Sequence, residues 1–175
     1  MADDSPSEAE ARFRDVFLHL PEVVAYARRR GSRDPEAVAA EALTIAWRKL
    51  ADVPVDDARP WLFATARNLL LAERRKASAA AGRVDLPETP ADAGPEVRIL
   101  DPELEQGLRE LSARDREALL LVAWEDLTPA LAARSLGISQ AAFRVRLHRG
   151  RKRLRRLFEA GDGTAAAPEL GVEKS

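Results

Sequence analysis

The chain has 175 residues, enough for one domain or two small ones, and 46% of them are hydrophobic and 33% charged, which is typical of a folded globular protein. It contains no cysteine, so we expect neither a disulfide nor a thiol nucleophile. Its only two histidines are far apart in sequence, so a histidine-based metal or catalytic site is not expected either, and no cofactor is predicted. The formal net charge of −1 gives no overall attraction to an anionic partner, so any such attraction must come from local charge.

The first third of the chain predicts several helices. Apolar residues at helical spacing predict a helix over Ser7–Leu20, after which Pro21 interrupts the pattern or opens a second helix. The sequence Asp34-Pro35-Glu36 is typical of a helix start, because a capping acid and a proline at the first helical position suit the free amide groups there. This helix is expected to run to about Leu50, with Val38, Ala42, Ile45 and Ala46 facing inward and Trp47 closing one end.

A short loop over Ala51–Ala58 is followed by a strongly predicted helix, RPWLFATARNLLLAERRK, from about Arg59 to Lys76. The composition then changes abruptly over Ala79–Asp101, which has three prolines, two glycines, five acids and only two arginines. Such a stretch favours an extended, flexible linker.

Helix signals resume after the linker. Asp101-Pro102 opens a helix through Leu111, Ser112-x-x-Asp115 resembles a capping box before a helix to Trp124, and Thr128-Pro129 starts a short helix to Leu136. The residues after Glu159 have little apolar surface to bury and are expected to be disordered.

The most distinctive segment is Ser139–Phe158, SQAAFRVRLHRGRKRLRRLF. It has eight Lys or Arg in the thirteen residues Arg144–Arg156 and no acid, while an apolar stripe runs along it at helical spacing. Concentrated positive charge on a near-neutral chain indicates an anionic polymer as partner. A helix, a glycine-containing turn at Gly137 and a long basic helix form the pattern of a helix-turn-helix DNA-binding unit.

The predicted fold is all-α: two small helical bundles joined by a flexible linker, the second containing the helix-turn-helix. The expected boundaries are 7–77 for the first bundle, 78–101 for the linker, 102–159 for the second bundle and 160–175 for a disordered tail. The acidic, polar N-terminus does not resemble a signal peptide, and no apolar run reaches membrane-spanning length. We therefore expect a cytoplasmic protein without membrane insertion.

Two blocks carry a resemblance to a known family. The first block is EALTIAWRKL (Glu41–Leu50) with the helix RPWLFATARNLLLAERRK, and it resembles the second region of bacterial sigma factors of the extracytoplasmic-function (ECF) type. The second block is LSARDREALLLVAWEDLTPALAARSLGISQAAFRVRLHRGRKRL (Leu111–Leu154), and it resembles the fourth region of the same factors. The combination of PWL-x-x-x-ARN with the downstream RLHRGRKRL segment is far more specific than a helix-turn-helix alone. The resemblance implies a non-enzymatic subunit that binds core RNA polymerase and directs it to promoters by recognising −10 and −35 elements.

For the fourth region, the resemblance implies that the basic helix reads the −35 element in the major groove. Its candidate base-edge contacts are Gln140, Arg144 and Arg146. Its candidate phosphate contacts, which would fix the register, are Arg149, Arg151, Lys152 and Arg153. The alternative for each of these side chains is that it merely solvates a packed helix.

For the second region, the resemblance implies docking on the clamp helices of the largest polymerase subunit and opening of the −10 element. The matching polymerase-binding positions are Glu41, Trp47 and Arg48, although packing in the core is the stronger interpretation of Trp47. The loop Ala51–Ala58 and the helix after it match the elements that hold the unpaired strand. The best-placed residues for that task are Arg67, Asn68, Arg74 and Arg75, with a structural hydrogen-bonding role as the alternative for Asn68.

Some positions depart from the family pattern. Ala37 and Ala40 replace a common Asp and Gln near the polymerase contact, and Ala72 stands where an Asp is common. In the basic helix Ala142, Phe143 and Val145 replace the common Thr, Val and Ser, which removes two hydroxyl contacts. These changes indicate either a divergent branch with its own promoters or a weak factor.

Three classes of function remain in order of preference. The first is the sigma factor, with core polymerase and promoter DNA as partners and regulation by an anti-sigma factor between the two bundles. The second is a stand-alone helix-turn-helix regulator whose first bundle senses a partner or dimerises. An enzyme is the least favoured, because no nucleophile–base set, metal cluster or glycine-rich phosphate loop is recognisable.

Overall fold

The computed structural model describes residues 7–80 and 102–162, and all regular structure in these two ranges is helical. The α-helices are α1 (Glu8–Phe17), α2 (Leu20–Arg29), α3 (Pro35–Arg48), α4 (Arg59–Ala80), α5 (Pro102–Arg109), α6 (Ala113–Ala123), α7 (Pro129–Leu136) and α8 (Gln140–Asp162), with a single 3₁₀ turn over Leu50–Asp52. This architecture confirms the predicted all-α fold. Within the described ranges no helix is long and apolar enough to cross a membrane.

Helices α1–α4 form the N-terminal bundle, whose buried apolar residues are continuous with those of the C-terminal helices in one core. Tyr26 of α2 and Phe63 of α4 are completely or almost completely buried and stack with ring centroids 4.8 Å apart. The predicted start of α3 is confirmed, since the Asp34 carboxylate accepts a hydrogen bond of 2.9 Å from the Ala37 amide. Pro21 lies in the first turn of α2, so it opens a second helix rather than interrupting the first.

Some expectations for this bundle were wrong in detail. α3 ends at Arg48, and Leu43 rather than Ile45 belongs to its buried face. α4 continues past Lys76 to Ala80, because the alanines and serine there are still compatible with a helix. Trp47 is not a core residue: it lies near the end of α3, is 46% exposed, and packs its ring edge-on against Phe13 with centroids 5.0 Å apart.

Helices α5–α8 form the C-terminal bundle, in which α7 and α8 are the predicted helix-turn-helix. Gly137 between them has φ +64°, a left-handed conformation that glycine adopts without strain. The Ser139 hydroxyl then caps α8 by accepting a hydrogen bond of 3.2 Å from the Ala142 amide. Phe143 is fully buried and Leu147 nearly so, which fixes the apolar stripe of α8 against the bundle.

The ends of the C-terminal bundle also differ from expectation. α5 ends at Arg109 instead of Leu111, and α8 extends beyond Glu159 to Asp162, into residues expected to be disordered. The rest of the predicted tail and most of the predicted linker lie outside the described residues.

The two bundles pack against each other. α4 contacts α7, and the end of α2 contacts α6 through buried ion pairs. A surface ion pair between Asp56 and Arg134, with 3.6 Å between the charged atoms, also joins them. The sequence did not predict this packing, because ion pairs between residues about ninety positions apart leave no local signal.

Candidate functional site

The basic helix α8 presents most of its cations to solvent. Six of the candidate residues on α8 are exposed, whereas Phe143 and Leu147 of the same helix are buried: Gln140, Arg144, Arg149, Arg151, Lys152 and Arg153. The side chain of Arg149 is additionally anchored, since its guanidinium lies 3.6 Å from the Asp115 carboxylate at the start of α6. The arrangement is an exposed cationic surface on the second helix of a helix-turn-helix, with the geometry to enter a major groove.

Arg146 is separated from this exposed set. It is half-buried and lines a cavity of about 110 Å³ between the two bundles, together with Arg67 and Arg74 of α4. Burial lowers the pKa of Arg146, and the positive charges of Arg114, Arg149 and Arg67 lower it further, against the opposing effect of Asp115. The structure therefore brings together residues that the sequence assigned to two different DNA elements.

The four DNA-binding candidates on α4 also fall into an exposed pair and a half-buried pair. Asn68 and Arg75 are exposed, whereas Arg67 and Arg74 are half-buried between the bundles. Arg74 donates a hydrogen bond of 2.8 Å to the backbone carbonyl of Arg30 at the end of α2. In this arrangement Asn68 and Arg75 remain accessible to a nucleic acid strand, and Arg74 supports the packing of the bundle.

The loop before α4 forms one wall of a second cavity, of about 340 Å³. Arg12 of α1 holds the loop by donating to the Val53 carbonyl, and His19 lines the opposite wall with its Nδ1 2.7 Å from Glu22. Sequence reasoning identified the loop but missed Arg12 and His19, which lie about forty positions upstream. Their helical faces gave no signal of a shared cavity.

The junction between this loop and α4 is fixed by Asp57. Its carboxylate accepts hydrogen bonds from the Arg59 backbone amide at 3.0 Å and from the Arg59 guanidinium at 3.1 and 2.9 Å. Burial alone would raise the pKa of Asp57, but these hydrogen bonds and the charge of Arg59 outweigh it and lower the pKa. Asp57 is therefore an ionised cap that sets the direction in which the loop enters α4.

The predicted polymerase-binding positions lie on the exposed side of α3, where Glu41, Trp47 and Arg48 are all accessible. Trp47 also forms one edge of an apolar groove of about 870 Å³ between α1 and α3, whose other walls include Phe13 and Phe17. Phe17 is 49% exposed, which is unusual for so large an apolar side chain. The helical spacing of Phe13 and Phe17 in the sequence predicted that they share one face, but not that part of this face would remain exposed.

The described part of the chain contains no cluster of three or more His, Asp or Glu residues that could hold a metal ion. The cavity between the bundles is lined by five arginines and one carboxylate, whereas the cavity under the loop before α4 is lined by four carboxylates and two arginines. Guanidinium groups bind phosphates and base edges, and they do not ligate metals. The exposed cations of α8 and the arginines between the bundles therefore offer recognition of a polyanion.

Comparisons with known proteins agree with this chemistry. A profile of the family described as "Sigma-70, region 4" matches residues 102–154, which include the helix-turn-helix. The ECF RNA polymerase sigma factor SigL of Mycobacterium tuberculosis is 34% identical over 150 residues, covering 79% of this chain and 77% of SigL.

Two solved structures are similar over most of the chain. The sigma factor RpoE, in complex with the anti-sigma factor NepR from Bartonella quintana, aligns with a TM-score of 0.62 and 26% identity over 83% of this chain and 95% of RpoE. CnrH, in complex with the cytosolic domain of CnrY, aligns with a TM-score of 0.59 and 26% identity over 88% of this chain and 91% of CnrH.

The relation to SigL covers most of the chain, the fold is shared with the sigma factor RpoE, and the matched region 4 includes the first 15 residues of the exposed basic helix, 140–154. The chain belongs to the ECF RNA polymerase sigma factors, which bind core RNA polymerase and direct promoter-specific initiation of transcription.

Proposed function

We propose a division of labour in which α8 reads the −35 element, α4 and its preceding loop hold the unpaired −10 strand, and the α1–α3 face docks on the polymerase clamp helices. The boundaries 7–77 and 102–159 separate these tasks between two domains. The observation that carries the proposal is the exposed cationic surface of α8, which contributes nothing to the apolar core.

The reading of the −35 element is assigned to the first turns of α8. Gln140 and Arg144 are exposed near the capped start of the helix, where a recognition helix normally contacts base edges. Arg149, Arg151, Lys152 and Arg153 follow along the helix, at positions suited to phosphate contacts that fix the register. Arg146 joins this set only if the two bundles separate, because it lines the cavity between them.

The opening of the −10 element is assigned to the cavity of about 340 Å³ under the loop and to the exposed face of α4. Moving a base out of the stacked duplex costs a few kcal/mol of stacking and pairing free energy, which a pocket and polar contacts must offset. The carboxylates of Glu22 and Asp56 in the cavity can accept hydrogen bonds from an exocyclic amino group. Asn68 and Arg75 are exposed on α4, where they can contact the backbone of the same strand.

The docking of polymerase is assigned to Glu41, Trp47 and Arg48 with the adjacent apolar groove. The groove exposes Phe13 and Phe17 beside Trp47, and exposed aromatic side chains of this kind are typical of protein interfaces. The chain acts in this proposal as a regulatory subunit in the cytoplasm, without catalytic activity of its own. An anti-sigma factor is its proposed inhibitor, because the similar sigma factor RpoE is bound by one.

The test is a pull-down with core polymerase followed by run-off transcription from candidate promoters. Arg48→Ala should weaken capture of core polymerase and lower transcription, while Arg28→Ala is a matched control, because Arg28 is an exposed arginine of the same bundle outside the proposed face. A wild-type chain that neither binds core polymerase nor supports initiation would refute the proposal. Tight, promoter-specific duplex binding without polymerase would favour a stand-alone regulator instead.

A further inference from the structure

The cavity of about 110 Å³ between α4, α6 and α8 has an unusual concentration of positive charge. Among the described residues, its lining includes five arginines and one carboxylate, Glu117. That carboxylate already accepts hydrogen bonds from the Arg30 guanidinium at 3.1 Å and from the Tyr26 hydroxyl at 3.2 Å. Glu117 therefore offsets the charge of Arg30 and not that of the other four lining arginines, which are Arg67, Arg74, Arg114 and Arg146.

These four arginines come from three different helices. Arg67 and Arg74 lie two helical turns apart on α4, so they share one face of that helix. Arg114 lies in the first turn of α6, and Arg146 lies on α8. An anion in the cavity would therefore lie within reach of cations from three helices at once.

The positive charges around the cavity already act on one another. Burial lowers the pKa of Arg146, and the charge of Arg114 is the next largest cause of the lowering. The Asp115 carboxylate opposes this effect, but it pairs with Arg149 of α8, with 3.6 Å between the charged atoms. A bound anion would reduce the repulsion between these guanidinium groups and favour the charged form of Arg146.

Binding an anion does not require any of these arginines to give up an existing contact. Arg74, for example, donates a hydrogen bond of 2.8 Å to the backbone carbonyl of Arg30. A guanidinium group carries five N–H donors in a rigid fork, so a group that makes one or two hydrogen bonds can still donate to a further acceptor.

The remaining walls of the cavity are apolar. Leu70 and Leu71 of α4 are buried, and Leu136 and Ile138 of the helix-turn-helix are half-buried beside them. Attraction between opposite charges is stronger beside such walls than in water. The volume is also several times the roughly 30 Å³ that one water molecule occupies in the liquid, so the cavity has room for a tetrahedral oxyanion.

We propose that this cavity is a binding site for a small phosphate-bearing anion, the di- or triphosphate group of an inorganic or nucleotide ligand, held by Arg67, Arg74, Arg114 and Arg146. Phosphate groups carry several charges and expose oxygens on several sides, which suits donors that converge from three helices. A monovalent carboxylate has one charge and two oxygens, so it engages fewer of them. The site involves neither promoter DNA nor polymerase, and it therefore goes beyond the proposed function.

The site is tested by isothermal titration calorimetry of the full-length chain with tripolyphosphate, in chloride buffers of constant ionic strength. Wild type should bind one tripolyphosphate per chain in a saturable manner, and acetate at the same concentration should not displace it. Arg146→Gln and Arg67→Gln should each weaken binding by roughly tenfold or more, because each variant removes a hydrogen bond between charged groups.

Arg156→Gln is the matched control. Arg156 is an exposed arginine of α8 that does not line the cavity, so its replacement should leave the affinity for tripolyphosphate unchanged. Circular dichroism identifies a variant that fails to fold, and the two cavity variants lie on different helices, so one still tests the site if the other unfolds. Absence of saturable binding by wild type, or wild-type affinity in both cavity variants, would overturn the site.

Stoichiometry and a second ligand separate the remaining outcomes. Several tripolyphosphates per chain, with equal losses in Arg156→Gln and Arg146→Gln, would assign the binding to the exposed surface of α8 and overturn the cavity site. Equal affinities for tripolyphosphate and a nucleoside triphosphate would support recognition of the phosphates alone, whereas tighter binding of the nucleotide would support an added contact with Leu136 and Ile138. A chain that binds tripolyphosphate but not core polymerase would refute the proposed function and leave the site standing.

Discussion

The position of α8 in its bundle depends on Gly150, and replacing this glycine by alanine tests the packing directly. A Cβ atom at Gly150 would lie 3.1 Å from the backbone oxygen of Asp115 and 3.1 Å from Cδ1 of Leu119, both on α6. These separations are shorter than ordinary van der Waals contact, and a backbone oxygen in the first turn of a helix cannot move independently. Gly150→Ala should therefore push α8 away from α6.

A second glycine provides the matched comparison. A Cβ atom at Gly107 would lie 2.9 Å from Cδ1 of Leu154, but that atom is the end of a flexible, half-buried side chain that can change rotamer. Alanine is favoured over glycine by about 1 kcal/mol inside a helix, and this gain applies to both positions. Overpacking against an unyielding neighbour costs about 1–3 kcal/mol. We therefore expect Gly150→Ala to be less stable than Gly107→Ala by about 1–2 kcal/mol.

The measurement is urea unfolding of both variants, monitored by circular dichroism, with wild type as reference. Gly107→Ala should unfold at or above the wild-type midpoint, and Gly150→Ala below it. Because the helix-propensity gain cancels between the two variants, their difference reports the cost of the contact with α6 minus the smaller cost of moving the Leu154 side chain. Equal midpoints, or a more stable Gly150→Ala, would refute the close approach of α8 to α6.

Three further predictions concern the proposed site. Arg144→Ala should cost about 1–3 kcal/mol of discrimination between −35 variants, whereas Arg151→Ala should weaken binding to all of them equally, as measured by competition binding of the holoenzyme. Arg75→Ala should reduce permanganate reactivity of the melted −10 strand more than it reduces closed-complex formation; normal melting would contradict the assignment. Asp57 has a lowered pKa in the folded chain, so its stabilising contribution is present above the ordinary aspartate pKa of about 4 and is lost as the pH falls through the folded value. The stability difference between wild type and Asp57→Asn should accordingly disappear in acid, and a difference that persists there would show that ionisation is not involved.

Local signals in the sequence were sufficient for most of the fold. Asp34, Thr128 and Ser139 are capping residues whose side chains accept hydrogen bonds from the following turn, and such contacts are encoded within four residues. The apolar stripe of α8 was also predicted, because helical periodicity directly reports which side of a helix is buried. Helix ends were less accurate, since α4 and α8 continue where composition alone suggested a stop.

The candidate site was only partly predictable, because local signals carry no information about contacts between distant segments. The residue types that bind DNA could be identified on α4 and α8, but their division into exposed and covered sets depends on contacts between distant segments. Arg74 and Arg75 are adjacent in sequence, yet Arg74 donates a hydrogen bond to the Arg30 carbonyl while Arg75 is exposed. Trp47 was misassigned similarly, because its spacing fits the core face but α1 covers only one edge of its ring.

Of the three departures of α8 from the family pattern, Phe143 is fully buried in the core, whereas the other two lie at exposed positions. Ala142 is exposed and Val145 is 55% exposed, so neither substitution affects the core of the bundle. Both lie close to Arg144 on the part of the helix proposed to face the −35 element. An exposed valine is poorly solvated in the free chain, but in a major groove it can contact the methyl group of thymine. Loss of the common hydroxyls therefore replaces one kind of base contact with another, and we expect a change of promoter preference rather than a weaker factor.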